Sequence, residues 1–325
     1  MKRPSVFVIG LALLASGCGG ESAAPATTAA ATTTVAAATT TVTPSTTTTT
    51  APATTTTEAA NPYPPGSITP AVLMVDEIPR QYLVAVPPDH SPDVPAPLVF
   101  DLHGRGGNAP GQALTSHLTD VAWAAGFVVV HPQAIGEVPT WSVYPDLNTL
   151  RPDVDFFTRM IDHFAAVLGI DEERVFITGF SNGGGMAGRL ACELGDRIAG
   201  IAPVGASNEG WTICEPGTPI PVLAIHGVID EVVPYDGGRA LLPNLPDWAA
   251  WWAENNECVG DPDELRTAAG TALHWRDCPG GATVSLLAID GIGHIWPPRV
   301  ELATVDGVAR YRGATEVIVD FFAGL

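Results

Sequence analysis

After residue 95 the chain is punctuated by short apolar runs set between polar, glycine-rich and proline-rich stretches. Leu98-Val-Phe-Asp-Leu102, Phe127-Val-Val-Val130, Val175-Phe-Ile-Thr178, Val222-Leu-Ala-Ile225 and Val284-Ser-Leu-Leu-Ala-Ile289 are the clearest. Runs this short, rich in Val and Ile, predict strands buried on both faces, as in a parallel sheet. Between them the apolar spacing becomes helical. Phe156, Phe157, Met160, Ile161 and Phe164 share one face of a helix predicted from Asp153, as its N-cap, to about Leu168. Gly183 to Leu194 predicts a helix of small residues pressed onto the sheet, and Val317 to Phe322 part of a final helix. Alternating β and α elements predict an α/β fold: a mostly parallel, doubly wound sheet with helices on both faces. Such a sheet carries its site at the carboxyl ends of the strands.

The N-terminal pattern differs. Lys2-Arg3 precedes a ten-residue apolar run, Val6 to Ala15, which is too short for a bilayer that needs about 20 residues. Leu14-Ala15-Ser16-Gly17-Cys18 then resembles a bacterial lipobox, with Cys18 as the lipidated residue of a signal peptide spanning 1–18. Residues 21–60 contain 18 Thr and 13 Ala, with Pro25, Pro44 and Pro52, and no aromatic residue. That stretch has too little apolar surface to offset its ordering entropy, so residues 19–67 are expected to be a disordered linker. The folded domain is expected over 68–325, tethered at the cell surface or released outside the cell.

Composition narrows the chemistry. The chain carries 15 Lys+Arg against 35 Asp+Glu. Such a charge repels phosphate backbones and anionic headgroups, so no nucleic-acid partner is expected, and membrane contact only through the anchor at Cys18. Lys2 is the only lysine. Once the leader is removed, mechanisms that need lysine are excluded: the P-loop, the pyridoxal Schiff base and the Ser-x-x-Lys acyl enzymes. No His-Glu-x-x-His or paired Cys-x-x-Cys motif is present, so no metal site and no cofactor are expected. Cys192, Cys214, Cys258 and Cys278 remain, an even number that in an exported protein predicts two disulfides with three connectivities. The sequential pairing closes the shortest loops.

The strongest chemical signal is Gly179-Phe-Ser-Asn-Gly183, a G-x-S-x-G between a predicted strand and a predicted helix. A sharp strand-to-helix turn presents Ser181 at a helix N-terminus, where free N–H groups favour a developing oxyanion. A hydroxyl nucleophile needs a base. His294, in Gly291-Ile-Gly-His294 after the last strong strand, is placed for that role. His103, His131 and His226 end strands and are expected to shape loops; His90, His117, His163 and His274 are expected at the surface or in packing. An orienting carboxylate completes the set. Asp230 lies after the strand Val222–Ile225 and gives the chain order Ser, Asp, His; Asp236, Asp290 and Glu231 are the alternatives. Two backbone donors are needed for the oxyanion. Asn182 follows the serine, and Arg105 in His103-Gly-Arg-Gly-Gly-Asn108 is the second, with Gly106 behind it.

Leu102-His-Gly-Arg-Gly-Gly-Asn108, Asp153-Val-Asp-Phe156, Gly179-Phe-Ser-Asn-Gly-Gly184, His226-Gly-Val-Ile-Asp230 with Val233-Pro-Tyr235, and Gly293-His-Ile-Trp-Pro297 occur in order along the chain. Together, from about Leu98 to the C-terminus, they resemble the polyhydroxybutyrate depolymerase and feruloyl esterase family of secreted α/β-hydrolase esterases. The resemblance implies Ser181 as nucleophile, Asp230 as acid and His294 as base, and pairing of Cys258 with Cys278. One departure is Gly185, where a bulkier residue is common. The segments expected to choose the substrate are Trp141-Ser-Val-Tyr144 and Trp248 to Trp252. Trp141 and Trp296 are candidates for an aromatic wall, with packing as their alternative role.

These features predict a monomeric serine esterase acting on a polymer-derived ester, a feruloylated polysaccharide or a polyhydroxyalkanoate. An acyltransferase acting on cell-envelope sugars through the same triad, and an inactive surface binding protein, are the alternatives.

Overall fold

The computed structural model describes residues 61–325 apart from 145–151, 210–214, 240–241, 299 and 306–307. The expected signal peptide, Cys18 and most of the expected linker fall outside the described residues. The chain divides into two units, and the second, Glu58–Leu325, holds every element below.

The strand elements are β1 (Ile68–Val75), β2 (Ile78–Ala85), β3 (Ala96–Leu102), β4 (Val128–Pro132), β5 (Ile170–Phe180), β6 (Gly200–Val204), β7 (Val222–Gly227), β8 (Asp263–Thr267), β9 (Gly270–Trp275) and β10 (Val284–Ile289). They form one sheet in the order β1-β2-β4-β3-β5-β6-β7-β10-β9-β8. The run from β4 to β10 is parallel throughout. Antiparallel hairpins close both ends, β1–β2 on one side and β9–β8 on the other. A further hairpin, β11 (Val300–Val305) with β12 (Val308–Arg312), stands apart from that sheet.

All five predicted strands are present. β6, Gly-Ile-Ala-Pro-Val, was not anticipated, because a five-residue run holding both Gly and Pro carries little local strand signal. Its burial comes from its neighbours: β5 and β7 pair with it on both sides.

Helices cover both faces, because successive strand residues point to opposite sides. Leu98, Phe100, Val175 and Ile177 face one core, which α3 (Asp153–Leu168) fills with Phe156, Phe157, Met160 and Phe164. Val99, Phe176 and Ile225 face the other, where α2 (Leu118–Ala122) contributes Leu118 and α6 (Ala314–Ala323) contributes Ile318 and Phe322. Phe176 and Phe322 stack with centroids 4.7 Å apart. Also present are α1 (Ala109–Ser116), capped by the Asn108 side chain, α4 (Asn182–Glu193) and α5 (Leu245–Asn255), capped by Asn244.

Three expectations need correction. Asp153 is the first residue of α3 and caps nothing; Pro152 holds the N-cap position, and the Asp153 carboxylate is engaged by Arg80 and by the Ser142 N–H. Trp248 and Trp252, within a segment expected to choose the substrate, are core residues of α5, each 1% exposed. Tyr63, assigned by composition to the linker, is buried, and its hydroxyl bonds Tyr82 at 2.6 Å and His163 at 2.9 Å.

Cys258 and Cys278 are disulfide-bonded across 20 residues of sequence, just after α5 and just before β10. Cys214, the expected partner of Cys192, lies outside the described residues. Replacing both Cys258 and Cys278 by Ser is expected to lower stability by about 3 kcal/mol, the entropic scale for a loop of this length. Denaturant unfolding of the double variant measures it, and an unchanged midpoint would show that the loop is already restrained without the bond.

Candidate active site

The site forms where β5 gives way to α4. Ser181 sits between them with φ 55° and ψ −119°, a conformation that L-residues rarely adopt. Its backbone is held on both sides: Ser181 N–H donates to Val204 O, and its carbonyl accepts from Gly185 N–H and Ser207 N–H. The turn needs glycine because β3 passes directly beneath. A Cβ on Gly183 would lie 2.3 Å from Leu102 O. The Gly185 departure has a similar reason, since a Cβ there would meet Ser207 O at 2.2 Å.

Three side chains form a line over this turn. Ser181 Oγ is 2.9 Å from His294 Nε2, and His294 Nδ1 is 2.6 Å from Asp230 Oδ2. A carboxylate only accepts, so Nδ1 carries the imidazole proton and Nε2 is the acceptor facing the serine hydroxyl. Asp230 is 4% exposed, and its Oδ1 accepts from Val232 N–H and Val233 N–H, both at 2.8 Å. His226 lies beneath the acid. Its Nε2–H donates to Val233 O at 2.8 Å and is 3.5 Å from Asp230 Oδ2. Burial holds the His226 pKa below the usual histidine range, so it supports the loop as a neutral donor. Of the other carboxylates considered, Asp290 is paired with Arg266 at the surface, and Asp236 and Glu231 are exposed.

The loop after β3 supplies the facing wall. His103 Nδ1–H donates to Gly104 O at 2.7 Å, while Nε2 accepts from Ala134 N–H at 3.1 Å. Burial lowers its pKa, which keeps the ring neutral and suited to this donor–acceptor role. Gly106 N–H is engaged by Pro139 O at 2.7 Å, which removes it as an oxyanion donor. Among the described residues, Arg105 N–H and Asn182 N–H have no acceptor, and both residues line the cleft beside Ser181.

That cleft has a volume of about 700 Å³. Val138, Val143, Phe180, Val232 and Leu242 give it largely apolar walls, with Tyr144, Ser207 and Glu209 among its polar groups. Glu209 is half-buried, and burial raises its carboxyl pKa against the opposing pull of the Arg105 charge. Sequence reasoning missed Ser207 and Glu209, and no local pattern marks them. Trp141 lines the cleft, though only 1% exposed, with its indole N–H donating to His103 O. Trp296 does not reach it. Its indole N–H donates to Thr315 Oγ1, and the ring belongs to the core beneath α6, so packing is its structural role.

Comparison with known proteins places this geometry among related sequences. Residues 153–250 match a family model described as Phospholipase/Carboxylesterase. The chain is 32% identical over 268 residues to Putative esterase NocK of Nocardia uniformis subsp. tsuyamanensis, covering 72% of this chain and 77% of that protein. It is 33% identical over 232 residues to Feruloyl esterase C of Emericella nidulans, covering 67% and 77%. Among solved structures, the acetyl xylan esterase from Aspergillus awamori superposes with a TM-score of 0.57 at 17% identity, over 71% of this chain and 94% of that one, a likeness of fold.

Proposed function

The chain belongs to the feruloyl esterase-like family of α/β-hydrolases and is a carboxylic ester hydrolase; from that premise we propose that Ser181, His294 and Asp230 carry out the hydrolysis. The observation that supports this most directly is the hydrogen-bonded line from Ser181 Oγ through His294 to Asp230. His294 Nε2 takes the hydroxyl proton as Oγ attacks the ester carbonyl. Asn182 N–H and Arg105 N–H receive the tetrahedral oxyanion. Asp230 stabilises the imidazolium, which returns its proton to the departing alkoxide. Water then enters; His294 Nε2 removes its proton as the water oxygen attacks the acyl carbon, and the imidazolium returns that proton to Ser181 Oγ as the acyl-enzyme C–O bond breaks, releasing the acid. Labelling by a fluorophosphonate probe, mapped to Ser181, tests the nucleophile.

The substrate we propose is an aromatic acyl ester on a polysaccharide. A cleft of about 700 Å³ with apolar walls has room for a feruloyl group, and relatives of this chain carry the name feruloyl esterase. Turnover compared across methyl ferulate, acetylated xylan, polyhydroxybutyrate oligomers and p-nitrophenyl acetate checks it. Methyl ferulate is expected to have the highest kcat/KM among them, and preference for either polymer substrate would reassign the enzyme.

The enzyme reads as an anchored, exported one, with residues 1–18 as signal, a tether that ends before the buried Tyr63, and the catalytic domain from there to 325. The support lies in Lys2-Arg3, the short apolar run and Ala15-Ser-Gly-Cys18, followed at once by the Thr/Ala tract. Cys18→Ala is expected to move active enzyme from the membrane fraction to the medium. A mutant that stays membrane-bound, or a wild type already free in the medium, would replace the anchor with simple secretion.

A further inference from the structure

Residues 141–144 form one wall of the cleft and belong to neither helix nor strand. Side chains do there what a sheet ladder does elsewhere. Trp141 N–H donates to Asn182 Oδ1 at 2.7 Å, and Trp141 O accepts from Asn182 Nδ2 at 3.2 Å. The Ser142 peptide groups are gripped by opposite charges. Its N–H donates to Asp153 Oδ2 at 2.8 Å, and its carbonyl accepts from Arg189 Nη1. The same Arg189 nitrogen reaches Tyr144 O at 3.1 Å.

All three supporting side chains are buried, Asp153 at 0% and Asn182 and Arg189 at 7% each. Asp153 is balanced by Arg80, likewise fully buried, at 2.6 Å, and the Arg80 guanidinium lies over Phe156. Charge-assisted bonds in so dry a setting hold geometry more tightly than exposed ones. Two of the supports, Asn182 and Arg189, stand on α4, the helix whose N-terminus presents Ser181. The wall is therefore registered to the nucleophile through one rigid element. This accounts for Asp153-Val-Asp-Phe156, a motif the ester chemistry itself does not use.

Resting on the assignment of Ser181 as nucleophile, we propose that Trp141–Tyr144 is the acyl-selecting wall of the cleft and that Asp153, Arg189 and the Asn182 side chain are its positioning residues. An acetyl group ends next to the attacked carbonyl. A cinnamoyl-sized group must extend along a wall, and Trp141, Val143 and Tyr144 line this one. Loosening the wall weakens binding of the large acyl group and leaves the chemistry on a small one nearly unchanged.

The test is Arg189→Met, which keeps an apolar stem and removes both carbonyl contacts. Glu193, the partner of Arg189 at 2.6 Å, has a side chain 33% exposed and stays hydrated. The expected result is a fall of about tenfold or more in kcat/KM for methyl ferulate, carried by KM, as for a binding surface displaced by a fraction of an ångström. For p-nitrophenyl acetate the change should stay within about threefold, with kcat retained. Arg189→Lys, which still reaches a carbonyl, should restore part of the ferulate affinity. Equal losses on the two esters, or no loss on either, overturn the proposal. Should Arg189→Met fail to fold, Arg189→Lys, which keeps one carbonyl contact, carries the same comparison with a smaller expected loss on methyl ferulate and none on p-nitrophenyl acetate. Fluorophosphonate labelling of the wild type at a residue other than Ser181 would overturn the nucleophile assignment instead, independently of the two-ester ratio.

Discussion

Ser181→Ala is expected to remove up to about 10⁶ in kcat while leaving the fold intact, because losing the nucleophile alone costs as much as losing a whole triad. The substitution removes one oxygen, which hydrogen-bonds His294 Nε2. The backbone bonds that shape the turn, from Ser181 N–H to Val204 O and to its carbonyl from Gly185 and Ser207, do not involve that oxygen. Alanine faces the same cost at φ 55° as serine, so the strand-to-helix turn is retained. Residual turnover should stem from Asn182 N–H, Arg105 N–H and substrate binding. Measured on p-nitrophenyl acetate beside an unfolding curve for each protein, retention of more than roughly a tenth of wild-type activity would falsify the assignment, given the expected magnitude.

Asp230→Asn is expected to cost roughly 10⁴ in kcat, through the tautomer of His294 and not through loss of the loop. Asp230 Oδ1 accepts from Val232 N–H and Val233 N–H, and an asparagine oxygen is able to keep both bonds. The amide nitrogen then faces His294 Nδ1, where Oδ2 had been an acceptor at 2.6 Å. Two donors cannot face each other, so the imidazole proton moves to Nε2, and the ring no longer takes the serine proton. His226 does not take over the role, because the ring nitrogen it turns toward the Asp230 carboxylate, Nε2–H, donates to Val233 O and offers His294 no acceptor. Asp236→Asn and Asp290→Asn should be mild, since Asp236 is exposed and Asp290 is paired with Arg266. A crippling Asp236→Asn alongside an active Asp230→Asn would move the acid to Asp236 and end this assignment.

The legible parts of the fold were those with a local signature. Five apolar runs became β3, β4, β5, β7 and β10, because a strand buried on both faces must be apolar at nearly every position. α5 carries a local signature, with Asn244 as its cap and Trp248 and Trp252 at helical spacing, but a tryptophan cluster suits a substrate cleft equally well, and only packing separates the two roles. β8 and β9 were missed for a different reason. β8, Asp-Glu-Leu-Arg-Thr, is polar and exposed along most of its length, and its strand character comes from pairing with β9 at the sheet edge.

By itself the sequence determined the alternation of strand and helix, the place of Ser181 at a strand-to-helix junction, the chain order of Ser181, Asp230 and His294, and the restriction of lysine to position 2. Each depends on residue type or on neighbours within a few positions, where periodicity and turn geometry act. Only the tertiary structure decided which carboxylate meets His294, since Asp230 Oδ2 and His294 Nδ1 meet across 64 residues of chain. It also removed Gly106 as an oxyanion donor through Pro139 O, sent Trp296 into the α6 core, and joined Arg80 to Asp153 across 73 residues. Those outcomes depend on which backbone groups and cores the packed sheet brings together, and no short window of sequence contains both partners.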